Sequence, residues 1–264
     1  MDSGWPATVL PVSEEINTIK LSLRLQDVCD FSQGFEWLRW WDQEFHKKGM
    51  RHVRVAVVGC GAVGSPLVIQ LLAESAVSEI RVIDPDRIEL SNLPRQPWFT
   101  LGDVGKYKAE VIGDYGSDRI HSVPEALTEE NAHDLLNGMD IVFDGSDNWM
   151  ARQAIQNWSF MSGRPWIFSS ALRLEGMTAF LAPEFTCLYC LFGSLQQGPR
   201  CYEAGVLGTV TLAVAGQAML LFHQYYHHQN EPQKWPNGLF LIDGHATRVR
   251  KIGLSAVRCG HGVG

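Results

Sequence analysis

Apolar residues along this chain of 264 residues fall into short blocks separated by longer amphipathic stretches. Val53–Val58 is apolar at all but one position and mostly β-branched, as a strand buried on both faces requires. It runs into Gly59-Cys60-Gly61-Ala62-Val63-Gly64, and residues 65–73 follow with the apolar weight of a helix. Residues 80–83 read as a second strand that ends at Asp84. From Glu110 to Asp147 the pattern predicts helix, short strand, helix and strand, with residues 126–132 starting the second helix and residues 140–144 forming the buried strand. A helix over Trp149–Ser162, a buried strand over 166–171 and a further strand over 178–183 complete the series, the last antiparallel after a turn at Glu175-Gly176. Strands alternating with helices predict an α/β, doubly wound parallel sheet.

Residues 1–45 carry a different pattern and read as an N-terminal extension. Ile19, Leu21, Leu23 and Leu25 alternate with Lys20, Ser22 and Arg24, the period of a strand with one wet face. Residues 35–45 hold Phe35, Trp37, Trp40, Trp41 and Phe45, which predicts an amphipathic helix burying its aromatics on the core or on a dimer interface. The remainder, residues 46–264, is expected to be one domain, because 45% hydrophobic positions in a chain this long suffice for a single large core.

Charge narrows the choice of partner. Lys and Arg total 22 against 29 Asp and Glu, a net charge of -7, so no nucleic acid is expected as the main partner. No membrane is expected either, since the longest apolar stretch, residues 210–222, is broken by Gly216 and Gln217 and is too short to span a bilayer. The first six residues lack a basic start and an apolar run, and six cysteines in a chain of this length suit a reducing compartment. A cytoplasmic protein is expected.

The glycine stretch is the first piece of chemistry. A strand, a Gly-x-Gly-x-x-Gly turn and a helix form a phosphate-binding arrangement: Gly59 permits the tight turn, Gly61 lets backbone approach a phosphate, and Gly64 lets helix and strand pack closely. The phosphate would sit on the helix N-terminus, where free N–H groups favour an anion. Asp84, about twenty residues after the turn, stands where an acidic side chain accepts hydrogen bonds from a ribose. Nicotinamide, flavin and ATP proteins all share this much.

Further motifs follow in order. After Asp86 come Leu90-Ser91-Asn92-Leu93-Pro94-Arg95-Gln96, then Asp103-Val104-Gly105-Lys106-Tyr107-Lys108, then Asp144-Gly145-Ser146-Asp147-Asn148 with Arg152. Cys187-Leu188-Tyr189-Cys190 and Cys201-Tyr202-Glu203-Ala204-Gly205-Val206-Leu207-Gly208 complete the set. Over residues 45–259 the sequence resembles the adenylating enzymes of the ThiF/MoeB family, relatives of the ubiquitin-activating E1 enzymes. The resemblance implies an E1-like fold in residues 46–264, a Rossmann-like, mostly parallel sheet with an antiparallel extension. It implies ATP with Mg²⁺, a homodimer, and adenylation of the C-terminal carboxylate of a small ubiquitin-like sulfur-carrier protein in cofactor biosynthesis. Arg95 and Lys108 would then offer positive charge to the triphosphate, Asn92 would steady the loop, Asp84 would hold the ribose, Asp86 would belong to the same nucleotide site, and Asp147 would hold Mg²⁺. Asp147 is also placed to cap the helix that follows it. Arg24 or Arg39 is the candidate for the arginine that family members lend to a partner subunit's ATP site.

Two cysteine questions come with the resemblance. The family binds zinc through two Cys-x-x-Cys pairs, but here Gly262 stands where the fourth Cys would be, so the implied set is Cys187, Cys190, Cys259 and His261. The alternative is loss of the metal, with thiols behaving as small apolar groups. Cys201 occupies the place of a cysteine that links covalently to the activated carrier in some family members and is dispensable in others, and Arg200 beside it would favour a thiolate. Cys60 and Cys29 read as packing residues.

Other readings remain open at this point. A nicotinamide-dependent oxidoreductase would use the same turn and Asp84, but hydride transfer has no need of Arg95 with Lys108. A nucleotide-dead scaffold would have no need of Asp84, Arg95, Lys108 and Asp147 together. Within adenylation, a specialised peptide or another carboxylate is the alternative substrate to a carrier protein.

Overall fold

Strand β1 (Val53–Val58) passes through the glycine turn into helix α1 (Gly64–Ala73), and β2 (Val77–Ile83) returns parallel beside β1. The structure is a computed structural model that describes residues 51–114, 117–183, 185–193, 205–254 and Cys259. Two short 3₁₀ segments, Leu90–Arg95 and Leu101–Asp103, lead to α2 (Lys108–Gly113) and β3 (Ile120–Val123), which pairs with β2. The chain crosses back through α3 (Ala132–Leu135) to β4 (Ile141–Asp144) on the other side of β1, then through α4 (Trp149–Ser162) to β5 (Trp166–Leu172). Strands β3, β2, β1, β4 and β5 are all parallel.

From β5 the sheet changes character. β6 (Glu175–Leu181) doubles back antiparallel, and after α5 (Leu188–Phe192) and the long α6 (Gly208–His227), β7 (Leu239–Asp243) and β8 (Arg248–Ile252) add two more antiparallel strands. The eight strands run β3-β2-β1-β4-β5-β6-β7-β8. The expected doubly wound sheet with an antiparallel extension is therefore the observed one. At its end, all five residues of β8 are exposed, three of them Arg248, Arg250 and Lys251.

One face of the sheet is covered by α4, whose Ala151, Ala154, Ile155 and Trp158 pack on Ala56, Val58, Val142, Trp166 and Phe168. The other face is covered by α1 and α6, where Phe222 meets Phe143 at 5.6 Å and Tyr225 meets Phe180 at 5.2 Å between ring centroids. Each such fully buried side chain stabilises the fold by roughly 1.5–3 kcal/mol relative to leaving it in water. Among the described residues no helix is long and apolar enough to cross a membrane, α6 included.

Two boundaries differ from the sequence expectation. Helix α3 begins only at Ala132, because the Asn131 side chain folds residues 126–131 into a turn: it accepts from the Thr128 N–H and donates to the Ala126 carbonyl. The reversal between β5 and β6 falls at Arg173-Leu174, with Arg173 at φ 54° and Leu172 paired with Glu175. Gly176 lies inside β6 and serves packing: a Cβ there would come within 2.3 Å of Val214 on α6. The strand and aromatic helix expected in residues 1–45 lie outside the described residues.

Candidate functional site

The order β2-β1-β4 places the crossover from β1 on one side and that to β4 on the other, so the carboxyl ends of β1 and β4 diverge into a crevice. Val58 is in register with both Ile83 and Asp144, which brings the glycine turn, the segment from Asp84 to Asp86 and the loop after Asp144 to one level. Close backbone contact holds the first and last of these together. Gly59 has φ 84°, and a Cβ on it would meet Ser146 Cα at 2.7 Å. A Cβ on Gly64 would meet the Gly59 carbonyl oxygen at 1.8 Å. Gly61 differs: its missing Cβ would find only Gln96 Nε2, at 3.7 Å, so its open side faces the crevice.

Asp84 sets the turn. One carboxylate oxygen accepts from the Cys60 N–H at 2.6 Å and the other from the Asp86 N–H at 2.7 Å. Burial pushes its carboxyl above the usual 3.8, with Lys108 and the two N–H donors pulling it back down. The neighbouring Cys60 thiol is driven well above 9.0, chiefly by burial and then by the Asp84 charge, which leaves it an inert packing group.

The cations stand opposite. Lys108 is only 6% exposed, and its Nζ pairs at 2.8 Å with Asp86, whose side chain is 65% exposed at the rim. Arg95 lines the crevice, half-buried, with Nη1 donating to the Ser91 carbonyl at 2.7 Å. Asn92, buried, accepts from the Glu89 N–H at 3.1 Å and closes the 3₁₀ turn that carries Arg95. Asp147 is exposed on the crevice wall. It does not cap α4: the cap is Asn148, whose Oδ1 accepts from the Met150 N–H at 2.9 Å, and Asp147 stays available to a ligand.

Arg152, part of the motif that runs from Asp144, has a structural role. It pairs at 2.8 Å with fully buried Asp144 and donates to the carbonyls of Ser146 at 2.6 Å and Ser169 at 3.2 Å, tying the ends of β4 and β5 to the loop bearing Asp147. Asp144 also accepts from Ser146 N–H and Oγ. The sequence signal was the spacing of eight between Asp144 and Arg152, which crosses one loop and the first helical turn.

These groups surround a cleft of about 460 Å³, the size range of small-molecule sites. Its walls suit a nucleotide triphosphate on this structure's own terms: the open side of Gly61 makes a cradle that any Cβ would fill, and Lys108 and Arg95 supply charge for phosphates. Asp147 offers the carboxylate oxygen that a phosphate-bound Mg²⁺ needs.

Apart from the cleft, Cys187, Cys190 and Cys259 bring their sulfurs within 4.8 Å of one another, with Cys187 and Cys190 at 3.7 Å. Three thiols so placed fit three corners of a tetrahedral zinc site. Burial, more than its neighbours, pushes the Cys187 thiol up to about 12. His261 and Cys201, like Arg24 and Arg39, lie outside the described residues.

Fold and cleft together define a Rossmann-type nucleotide-site protein with an antiparallel extension. The chain belongs to the ThiF family, whose profile matches residues 37–260. A sulfur carrier protein adenylyltransferase of Thermus thermophilus is 33% identical over 184 residues, covering 64% of this chain and 67% of that one. The SAMP-activating enzyme E1 of Haloferax volcanii is 36% identical over 180 residues, covering 64% and 66%. The chain spans about two thirds of the length of these relatives and less than half of the adenylyltransferase and sulfurtransferase MOCS3 of zebrafish, Danio rerio. Among solved structures, Escherichia coli MccB with ATP superposes with a TM-score of 0.66 at 20% identity over 79% of this chain and 66% of MccB, a likeness of fold.

Proposed function

We propose that this protein adenylates the C-terminal carboxylate of a small ubiquitin-like sulfur-carrier protein, using ATP. The observation that carries the reading is the convergence of Arg95, Lys108, Asp86 and Asp147 around a glycine turn whose second glycine is open to the cleft. The two cations suit the triphosphate, and they also suit attack of a carboxylate on a phosphate, which brings two anions together. In that step a carboxylate oxygen bonds to the α-phosphorus while the bond to the bridging oxygen breaks, and pyrophosphate leaves with the electron pair. Lys108 and Arg95 would neutralise the charge that develops on the phosphoryl oxygens, held in place beforehand by Asp86 and by the Ser91 carbonyl. Asp147 would hold the Mg²⁺ that accompanies the triphosphate. The names of the Thermus and Haloferax relatives support the carrier as substrate.

A peptide is the second reading, favoured by the likeness to MccB, which has been crystallised with MccA. ATP–pyrophosphate exchange measured against a panel of carrier proteins and peptides with free C-termini separates the two. Exchange with neither, in a protein that binds ATP, would overturn the adenylation reading.

The same reading carries several finer proposals. The protein would be a homodimer in the cytoplasm, with Arg24 or Arg39 reaching the partner's nucleotide, and light scattering tests the dimer. Cys187, Cys190 and Cys259 would hold structural zinc with His261 as fourth ligand. Cys201 would take up the carrier from the adenylate as a covalent adduct, visible on a non-reducing gel and absent from Cys201→Ala, while pyrophosphate exchange in that variant stays near wild type.

A further inference from the structure

Beside the Asp86–Lys108 pair the backbone forms a short antiparallel ladder with a part that none of these roles uses. The Lys108 N–H donates to the Asp86 carbonyl at 2.9 Å, the Ile88 N–H to the Lys106 carbonyl at 2.9 Å, and the Gly105 N–H to the Ile88 carbonyl at 2.8 Å. Between these bonds Arg87 and Tyr107 stand opposite each other. Arg87 Cζ lies 3.8 Å from the centroid of the Tyr107 ring, and Arg87 Nη1 donates to the Gly105 carbonyl at 2.6 Å. One arginine thus fastens the returning arm at two points. Arg87 is exposed at the rim of the cleft, whereas Tyr107 is half-buried and does not line it.

The ladder is the neck of a loop. Residues 89–104 leave from its first arm and return to its second, and they carry Asn92 and Arg95. The second arm runs directly into Lys108, the first residue of α2. Both cations of the cleft are therefore placed by this neck, Arg95 through the loop it closes and Lys108 through the backbone that leads to it. The Asp86–Lys108 ion pair is a weak clasp for it, because Asp86 is exposed and an ion pair with an exposed carboxylate is screened. A guanidinium on an aromatic face keeps its attraction at an exposed site, and its hydrogen bond to a carbonyl carries a full charge.

We propose that Arg87 is a positioning residue for nucleotide binding: stacked on Tyr107, it holds the neck closed and so keeps Arg95 and Lys108 aimed at the triphosphate. The proposal rests on the nucleotide site of the adenylation reading and adds a residue which that reading does not use. A triphosphate binds in proportion to the fraction of molecules whose cations are in place, so an open neck costs affinity without removing any group that touches the ligand. Two other actions are open to an arginine at the rim. Direct contact with the nucleotide would make Arg87 matter and Tyr107 not, and so would attraction of the triphosphate at a distance, since Tyr107 supplies no positive charge. Dependence on both residues together is peculiar to the stack.

The test is calorimetric titration of the full chain with the non-hydrolysable nucleotide AMPCPP and Mg²⁺, together with amide hydrogen exchange of the chain alone. Arg87→Met and Tyr107→Leu should each weaken AMPCPP about fivefold, the scale of one exposed cation–π contact and its hydrogen bond, and the double variant should lose no more than either. Arg87→Lys and Tyr107→Phe, which keep cation and ring, should stay within about twofold of wild type. Amide exchange at Gly105 and Lys108 should be faster in Arg87→Met and Tyr107→Leu, because those N–H groups close the neck. Wild-type affinity in Arg87→Met or in Tyr107→Leu, additive losses in the double variant, or unchanged amide exchange would each overturn the proposal. Should Tyr107→Leu fail to fold, Arg87→Met decides through its rescue by Arg87→Lys and its amide exchange. Failure of AMPCPP to bind the wild type would sink the adenylation reading, and the amide exchange would still report whether the stack closes the neck.

Discussion

The guanidinium of Arg152 lies 2.8 Å from the carboxylate of Asp144, a residue with no exposed surface at the end of the central strand β4. The pair gives the loop from Gly145 to Asn148 a fixed floor, because the same two side chains take up the Ser146 N–H, hydroxyl and carbonyl. Removing the cation would leave an uncompensated charge in the interior. Arg152→Ala should therefore cost about 3–5 kcal/mol in denaturant unfolding, the usual penalty for breaking a buried pair from one side.

The penalty should depend on pH in a definite direction. Burial raises the Asp144 carboxyl above 3.8, and the Arg152 charge is the largest influence opposing that rise. With the folded value above the unfolded one, the carboxyl's contribution to stability is complete below the unfolded value and is lost as pH rises through the folded value. Without Arg152 the folded value climbs further, so the deficit of Arg152→Ala should be greatest at neutral pH and shrink on acidification. Equal deficits at neutral and mildly acidic pH would mean that Asp144 is not the group left unpaired.

Lys108→Ala and Asp147→Ala separate chemistry from folding. Lys108 is buried and its charge offsets the buried Asp84 carboxylate, so its loss should lower stability while leaving a folded chain, whereas Asp147 is exposed and its loss should change unfolding little. Pyrophosphate exchange should nevertheless fall by roughly a hundredfold or more in each variant, as when one preorganised charge-stabilising group is removed. Near-normal exchange in either variant would show that the phosphates lie elsewhere.

The glycines offer a paired test. Gly64→Ala would force a methyl group to within 1.8 Å of the Gly59 carbonyl oxygen, so it should lower the melting temperature and nucleotide binding together. Gly61→Ala meets only the end of Gln96, at 3.7 Å, and should melt near wild type while losing AMPCPP affinity by calorimetry, because its methyl group occupies the cradle. Identical behaviour of the two variants would contradict the division of labour within the turn.

How much of this the sequence revealed depended on the range of the interaction. The parallel core was legible, because Val53–Val58, the strand ending at Asp144 and the strand from Trp166 are buried on both faces along most of their length and show it as mostly apolar runs. The glycine turn was legible for the same reason of local geometry. Gly176 misled, since a glycine that makes room for Val214 looks in sequence like one that makes a turn. Asn131 hid the late start of α3 by bonding backward to Thr128 and Ala126. β7 and β8 were not anticipated: Leu239–Asp243 finds its partner in β6 only after some sixty residues, and Arg248–Ile252 has no buried face to leave a pattern.

For the cysteine cluster, metal content is the measurement. Zinc by atomic absorption should approach one per chain in the wild type and fall in Cys187→Ser, with a lower melting temperature, since a closed site contributes to folding directly. A wild-type chain purified without chelators that carries no zinc would mean that Cys187, Cys190 and Cys259 serve packing and not metal ligation.

The composition of β8 bears on how these molecules behave toward each other at high concentration. Among the described residues the sheet ends in a five-residue strand, and such a strand offers its outer backbone groups to any other strand, including that of an identical molecule. Here Val249 and Ile252 would favour such an addition, while Arg248, Arg250 and Lys251 place three like charges against three on an approaching copy. Repulsion of that kind fades as the Debye length shrinks, to about 3 Å at 1 M salt. The colloidal stability of this protein is thus expected to decline with ionic strength, and the strand to blame is the one farthest from the chemistry.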